Sequence, residues 1–251
     1  MDSISLAAIV QGITECMPVS SSAHLVLLQK FSGFSGNIYD MSIGTTIATM
    51  IVFRRYIIQL IRESFCTWEA FCTIASAMTL AMLPTAVVGL LSYNKTNPVG
   101  KIINSINDND TAIYLCTLLS CIILYISDKT SDTRENLHRH PIHTLLVGIA
   151  QCCAIIPGVS RLGITFSIAR LLGYKRMESV RFSFVMAIPV HFAASLLHTK
   201  HIDSSFAYCN FIAMISALGT FSALSYIVHK LTATPFVIYR LMFLTITVCS
   251  V

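Results

Sequence analysis

Charged side chains are scarce in this sequence. Only 12% of its 251 residues are Asp, Glu, Lys or Arg, whereas 55% are apolar. An ordinary soluble domain carries about 25% charged residues, and a disordered chain is far less hydrophobic than this one. The composition therefore excludes a water-soluble enzyme and an intrinsically disordered protein, and it predicts an integral membrane protein.

Two further features that the sequence lacks exclude other classes. The net charge of +5 comes with no basic stripe and no aromatic platform, so we expect no nucleic-acid partner. The nine cysteines form no paired C-x2-C motifs and have no histidines at zinc spacing. We expect them to act as small apolar side chains.

Six apolar segments are long enough, or nearly so, to cross a bilayer, which takes about 20 residues. They lie at 41–61, 66–92, 111–127, 182–197, 206–228 and 235–251. Because the backbone must satisfy its own hydrogen bonds in lipid, we expect each to be a helix. The fold class predicted is an all-α polytopic membrane protein with a single membrane domain over 1–251.

Two other apolar regions, 4–32 and 142–172, are interrupted near their middles. Pro18 and the serines after it break the first region, and Pro157 with Gly158 breaks the second. Proline removes a backbone donor and glycine loosens the chain, so neither region suits one straight helix. We predict two re-entrant helical hairpins in addition to the six transmembrane helices.

The charges of the loops orient the chain. Arg54, Arg55 and Arg62 mark the C-terminal end of the first span, and the loop at 128–141 is also basic, so the positive-inside rule places that end and the loop in the cytoplasm. Region 142–172 then begins and ends inside, whereas region 4–32 begins and ends outside. The first region therefore enters the membrane from the periplasmic side, and we expect a site formed between the two regions to open toward the periplasm.

The two interrupted regions resemble each other. Segment 12–16 compares with segment 148–152, roughly 140 residues later, and three spans follow each. An odd number of spans inverts the second half, so we predict an inverted repeat of halves 1–127 and 142–251 joined by linker 128–141. In such repeats the site lies at mid-membrane between the broken helices. The alternative to a repeat is that the two short apolar segments resemble each other by chance.

The ionisable side chains closest to the two interruptions are Glu15 and His24 in the first region and Arg161 in the second. Such groups are costly in lipid and mark functional sites by default. An arginine beside serines and a Pro-Gly turn suits a phosphate, so we predict chemistry on a phosphate-bearing lipid. The alternative is a plain buried ion pair between Arg161 and Glu15.

These motifs resemble those of the undecaprenyl-diphosphate phosphatase family, the BacA bacitracin-resistance proteins. The stretches that carry the likeness are Gln11-Gly12-Ile13-Thr14-Glu15, Pro18-Val19-Ser20-Ser21-Ser22-Ala23-His24 and Pro157-Gly158-Val159-Ser160-Arg161-Leu162-Gly163-Ile164-Thr165. The similarity continues through Arg181-Phe182-Ser183-Phe184 and Pro189 to Pro235-Phe236-Val237-Ile238-Tyr239-Arg240, and so covers nearly the whole chain.

The resemblance implies an activity and a location. The substrate would be a polyprenyl diphosphate lipid, hydrolysed from undecaprenyl diphosphate to undecaprenyl phosphate. This reaction recycles the lipid carrier for peptidoglycan synthesis and confers bacitracin resistance. The resemblance also implies a multi-pass protein of the bacterial cell inner membrane with six spanning helices and two re-entrant hairpins, and it leaves open whether two copies pair as a homodimer.

The resemblance also implies four catalytic residues. Glu15 matches the second glutamate of the family's [E/Q]-x3-E motif, and Arg161 matches its phosphate-clamping arginine. Ser21 matches the proposed nucleophile, and His24 the proposed base or alternative nucleophile. Ser21 and His24 lie one helical turn apart and share a face, so their spacing does not decide between them and a water as the nucleophile.

The remaining site residues implied by the resemblance bind substrate or metal. The substrate-binding residues are Gln11, Ser20, Ser22, Ser160 and Thr165, although the serines of the first hairpin would also suit a helix cap. A divalent cation, magnesium or calcium, would bind at Glu15 and the diphosphate oxygens. Gln11 replaces a glutamate there, and one carboxylate fewer weakens such a site.

Three positions are left out of the site. Leu162 stands where family members commonly have a serine, and the segment around Asp40 is shorter than usual. His191 lies in an apolar stretch without a motif around it, so we expect it to be structural.

Two other functions were weighed. A lipid-phosphate flippase or secondary transporter is the alternative from another class, because inverted repeats with broken helices are common there. A type-2 phosphatidate phosphatase is excluded, because Ser167 stands where that family needs a histidine.

Overall fold

The structure, a computed structural model, describes residues 3–32, 38–93, 96–131, 133–198, 204–227 and 232–249. Its helices are α1 (Ser3–Glu15), α2 (Ser21–Ser32), α3 (Ser42–Val52), α4 (Arg54–Ser64), α5 (Trp68–Tyr93), α6 (Pro98–Asn107), α7 (Asp110–Asp128), α8 (Pro141–Gln151), α9 (Arg161–Leu171), α10 (Arg176–His198), α11 (Ser204–Ile227) and α12 (Thr234–Cys249). Short 3₁₀ segments occur at Ile38–Met41, Leu137–Arg139 and Cys152–Ile155.

The all-α class predicted from the sequence is confirmed. In the described part of the chain, four helices are long and apolar enough to cross a membrane, namely α5, α7, α10 and α11. The apolar helices α3, α8 and α12 are shorter. Large apolar side chains on the outer faces of the long helices, such as Leu90, Leu119 and Phe211, are exposed. Such faces suit contact with lipid.

The first interrupted region forms a helix–turn–helix hairpin, as the sequence predicts. Helix α1 ends at Glu15, and in the turn the Val19 amide donates to the Met17 carbonyl at 2.8 Å. Ser20 has a φ of 69°, the left-handed conformation that reverses the chain. Helix α2 begins at the next residue, Ser21.

The second interrupted region has the same form. After the 3₁₀ segment Cys152–Ile155, Gly158 takes a φ of 89°, which glycine adopts without steric cost. Ser160 then caps α9, because its Oγ accepts a hydrogen bond from the Gly163 amide at 3.1 Å.

Each hairpin packs closely on one long helix of the other half. A Cβ at Gly12 of α1 would lie 2.5 Å from the Ala213 carbonyl oxygen of α11, and a Cβ at Gly148 of α8 would lie 2.4 Å from the Ala81 carbonyl oxygen of α5. The two glycines therefore allow backbones to approach where a side chain would not fit. Such small-residue contacts are common between membrane helices.

Two boundaries differ from the sequence prediction. The span predicted at 41–61 is divided at Phe53 into α3 and α4, so it is not one continuous helix. Helix α4 carries polar residues on most of its surface and buries mainly Tyr56 and Leu60, which gives it the amphipathic character of an interfacial helix. The stretch between the predicted spans 66–92 and 111–127 contains a helix that was not predicted, α6, which Asn97 caps by accepting from the Gly100 amide.

Candidate functional site

The tips of the two hairpins meet. Arg161 Nη2 donates to Glu15 Oε1 at 2.8 Å, although 146 positions separate them in the chain. A Cβ at Gly163 would lie 3.6 Å from Pro18 Cβ, so the start of α9 lies close to the first turn. The convergence of acid and guanidinium that the sequence predicts is therefore confirmed, and the buried ion pair weighed as an alternative is present.

Three more side chains contact the Glu15 carboxylate. Ser21 Oγ donates to Oε2 at 2.5 Å, and Gln11 Nε2 donates to the same oxygen at 3.3 Å. His191 Nε2 of α10 lies 3.2 Å from Oε1. Both carboxylate oxygens are thus held, and Ser21 has an acceptor for its hydroxyl proton.

His191, which the sequence analysis left out of the site as structural, lies against Glu15 in the structure. A histidine in an apolar segment is a functional candidate by the same rule that selected Glu15, but no motif in the sequence ties it to either hairpin. Only the packing of α10 against α3 and α9 brings it to Glu15.

Arg161 is placed as the first residue of α9, directly after the cap. Its Nη1 donates to the Ser183 carbonyl oxygen at 3.3 Å, while its Nε is buried and meets no hydrogen-bond partner within the described ranges. The guanidinium is therefore fixed at two points and keeps a donor for a further acceptor. A phosphate oxygen is the acceptor that this geometry suits.

A small cavity adjoins the pair. Its volume is about 10 Å³, roughly the room for one water molecule. Glu15, Arg161 and His191 line it together with Thr45, Thr46 and Thr49 of α3, and Phe184, Ala187 and Ile188 of α10 complete the wall. A diphosphate is larger than one water molecule, so the cavity in this structure does not hold one.

The threonines of α3 were not among the predicted site residues. Their hydroxyls donate to carbonyls of their own helix: Thr46 to Ser42 at 2.7 Å and Thr49 to Thr45 at 2.9 Å. A cluster of hydroxyl residues in an apolar segment could have identified these threonines as candidates. They were not selected because they lie far in sequence from both hairpins.

His24 lies beside the site but does not contact Ser21 through a hydrogen bond. Its Nδ1 is 2.7 Å from the Ser20 carbonyl oxygen, which only accepts, so Nδ1 carries the proton. Its Nε2 therefore accepts from the Tyr239 hydroxyl at 2.7 Å. The ring also stacks on Phe243. In this geometry Glu15, rather than His24, is the base in contact with Ser21.

The other predicted substrate-binding residues surround the tips. Ser20 Oγ and Ser22 Oγ lie 3.3 Å apart. Ser160 serves as the cap of α9, and Thr165 Oγ1 donates to the Arg161 carbonyl oxygen at 2.9 Å. These last two therefore stabilise the helix that presents Arg161, and their contact with substrate stays a prediction.

The donor set at Glu15 fits a divalent cation only if the substrate supplies ligands. Within the described ranges no group of three or more His, Cys, Asp or Glu side chains is arranged to hold a metal ion. Gln11 Oε1, however, is buried next to Glu15 and has no hydrogen-bond partner in the part of the chain that the structure describes. A carboxylate and an amide oxygen are ligands that magnesium and calcium accept, with phosphate oxygens completing the shell.

Known proteins resemble the chain over nearly its whole length. Residues 4–246 match the family described as bacitracin resistance protein BacA. A protein of Campylobacter curvus named undecaprenyl-diphosphatase is 34% identical over 95% of this chain and 94% of its own length. One of the same name from Saccharophagus degradans is 32% identical over 94% of this chain and 92% of its own. The chain therefore belongs to the bacitracin resistance protein BacA family.

Proposed function

We propose that this protein hydrolyses undecaprenyl diphosphate to undecaprenyl phosphate and inorganic phosphate, and so recycles the lipid carrier for cell-wall synthesis. The observation that carries the proposal is the contact of Glu15 with both Arg161 and Ser21 between two hairpin tips. The shared name of the two relatives supports the same reaction.

Arg161, Glu15 and His191 have different roles in the proposed reaction. Arg161 binds the terminal phosphate and neutralises charge that develops on its oxygens, where little water competes. The phosphate then takes the place of Glu15 at the guanidinium and leaves the carboxylate free to accept a proton. His191, on the same oxygen of Glu15, keeps that carboxylate oriented.

Two routes break the bond between the terminal phosphorus and the bridging oxygen. In the first, Ser21 attacks the phosphorus while Glu15 takes its proton, and water later hydrolyses the phosphoserine. In the second, Glu15 activates a water and Ser21 only donates a hydrogen bond. Acid quenching during turnover separates them, because only the first leaves phosphate on Ser21.

We also propose a magnesium or calcium ion held by Glu15 and Gln11, with the remaining ligands from the diphosphate. When bound, the cation neutralises phosphate charge. The unpartnered Oε1 of Gln11 supports this proposal.

The cellular setting belongs to the same proposal. The polyprenyl substrate lies in the bilayer, and the basic loops argue for an inner-membrane protein whose site opens toward the periplasm.

Phosphate release from undecaprenyl diphosphate by protein purified in detergent tests the function. We expect Glu15→Gln to lower the rate at least about 100-fold, because the proton acceptor is lost. Glu135→Gln is the matched control, since Glu135 is an exposed carboxylate that pairs with Lys175 far from the tips.

Two results would contradict the proposal. Detergent removes any gradient, so a flippase or transporter would release no phosphate from either the wild type or the control. Equal rates for Glu15→Gln and the wild type would remove Glu15 from the mechanism.

A further inference from the structure

Arg240 is a buried cation within an apolar helix. It lies near the middle of α12, and only 2% of its surface is exposed. Its Nη2 donates to Ser120 Oγ at 2.5 Å and to the Gly158 carbonyl oxygen at 2.7 Å. Its Nε and Nη1 are buried and have no hydrogen-bond partner among the described residues.

The charge of Arg240 has no counter-charge in the described part of the chain. Arg161 pairs with Glu15 at 2.8 Å, and Arg176 pairs with Asp128 at 2.5 Å. No described carboxylate forms an ion pair with Arg240. A lone cation in a membrane segment is costly, so its retention points to an anion that binds there.

Arg240 lies beside the hairpin tips. Gly158, whose carbonyl it holds, is on the second turn, three residues before Arg161. Tyr239, the residue before Arg240, holds His24 of the first hairpin. Neighbouring residues of α12 therefore contact both hairpins, and they place the free donors of Arg240 close to the site without joining the Glu15 cavity.

We propose that Arg240 is a second anion-binding residue, which binds the lipid-side phosphate of the diphosphate while Arg161 binds the terminal phosphate. The identity of the diphosphate rests on the proposed function. The assignment of the two phosphates follows from position, because Ser21 and Glu15 adjoin Arg161. A diphosphate has more oxygens than one guanidinium satisfies, and the free Nε and Nη1 supply two further donors.

Binding of inorganic diphosphate, which needs no turnover, tests the proposal. The probe is titrated against the full-length chain in detergent, and the rise in the thermal unfolding midpoint gives Kd. We expect Arg240→Gln to raise the Kd for diphosphate at least about tenfold, because it loses charge-assisted hydrogen bonds. Orthophosphate, which needs only Arg161, loses much less affinity, so selectivity for diphosphate over orthophosphate falls.

A control variant and a second substitution at Arg240 accompany this measurement. Arg170→Gln is the matched control, since Arg170 is also 2% exposed and its guanidinium holds the carbonyls of Tyr174 and Thr130. It lowers the midpoint without ligand but leaves the selectivity unchanged. Should Arg240→Gln not fold, Arg240→Lys carries the test, because an ammonium contacts fewer oxygens and lowers the same selectivity.

An unchanged diphosphate Kd, or an equal loss for diphosphate and orthophosphate, overturns the proposal and reduces Arg240 to a residue that fixes the second turn. Failure of the wild type to release phosphate from the lipid refutes the proposed function instead. The binding result stands apart from that failure.

Discussion

Both oxygens of the Glu15 carboxylate contact polar side chains. Arg161 and His191 contact Oε1, and Ser21 and Gln11 contact Oε2. A carboxylate with this many partners keeps one orientation, and that orientation points its Oε2 at the serine hydroxyl. In the proposed mechanism substrate phosphate replaces Glu15 at Arg161, so the chemistry at the residue scale depends on that exchange.

Arg161→Lys tests that exchange. Arginine reaches Glu15 with one terminal nitrogen and the Ser183 carbonyl with the other. A lysine ammonium is a point charge that cannot hold both. We expect kcat/KM for phosphate release to fall about tenfold to a hundredfold.

The control for this variant is Arg139→Lys, because Arg139 is 57% exposed and pairs with Glu63 away from the tips. It should keep wild-type kcat/KM. Near-normal turnover by Arg161→Lys would contradict a forked clamp on the phosphate.

At the residue scale the sequence predicted the pairing of Glu15 with Arg161, because ionisable groups stand out in apolar segments. It did not predict His191 or the threonines of α3. Those side chains reach the site only through helix packing, which leaves no motif in the chain.

At the scale of elements, the approach of α1 to α11 sets the position of the first hairpin. Gly12→Ala would place a Cβ 2.5 Å from the Ala213 carbonyl oxygen and 2.6 Å from Ser216 Cβ. Backbone cannot move aside cheaply, so α1 must shift. We expect a loss of about 1–3 kcal/mol in the free energy of unfolding and a lower kcat, measured by thermal unfolding and by phosphate release.

Gly89→Ala in α5 is the matched helical control, because a Cβ there meets nothing within 4 Å. It should leave activity unchanged and be neutral or stabilising by up to about 1 kcal/mol. Equal behaviour of the two variants would mean that the α1–α11 contact does not position the site.

The sequence predicted only some of the helix boundaries. Pro18 and Gly158 mark both turns, because proline and glycine limit helices locally. The break at Phe53 carried no such residue, and an apolar count over 41–61 could not locate it. Helix α6 was not predicted, because the stretch between two spans was treated only as a connection, although Asn97 and Pro98 form an ordinary helix start.

At the scale of the whole molecule, one polar cluster joins α4, the predicted linker and α10. His138 of the linker is buried, with Nε2 3.1 Å from Glu63 Oε2 and Nδ1 3.8 Å from Glu178 Oε1. Arg139 also donates to Glu63 at 2.9 Å. The predicted linker is thus packed against α4 and α10 through His138 and Arg139.

This cluster makes stability depend on pH. Hydrogen bonds from Gln59, Arg139 and His138 lower the pKa of Glu63 to about 2, against the opposing effect of burial. A carboxyl whose folded-state pKa is lowered stabilises the fold above its unfolded pKa of about 4.3. We expect the unfolding midpoint of the wild type to drop as pH falls from about 4.3 toward 2.

Glu63→Gln should flatten that part of the curve of unfolding midpoint against pH, measured in detergent. Glu69→Gln removes an exposed carboxylate at the start of α5 and should follow the wild-type curve. Parallel curves for Glu63→Gln and the wild type would show that this cluster does not set the acid sensitivity.

The sequence by itself determined that the chain is helical, lies in a membrane and bends at two polar interruptions. Composition and local backbone preference act over a few residues, so they can be read directly. The tertiary structure decided which distant side chains share the pocket: His191 with Glu15, Tyr239 with His24 and Arg240 with the second turn. Those contacts depend on how helices pack, and many sequences with the same apolar pattern would pack differently.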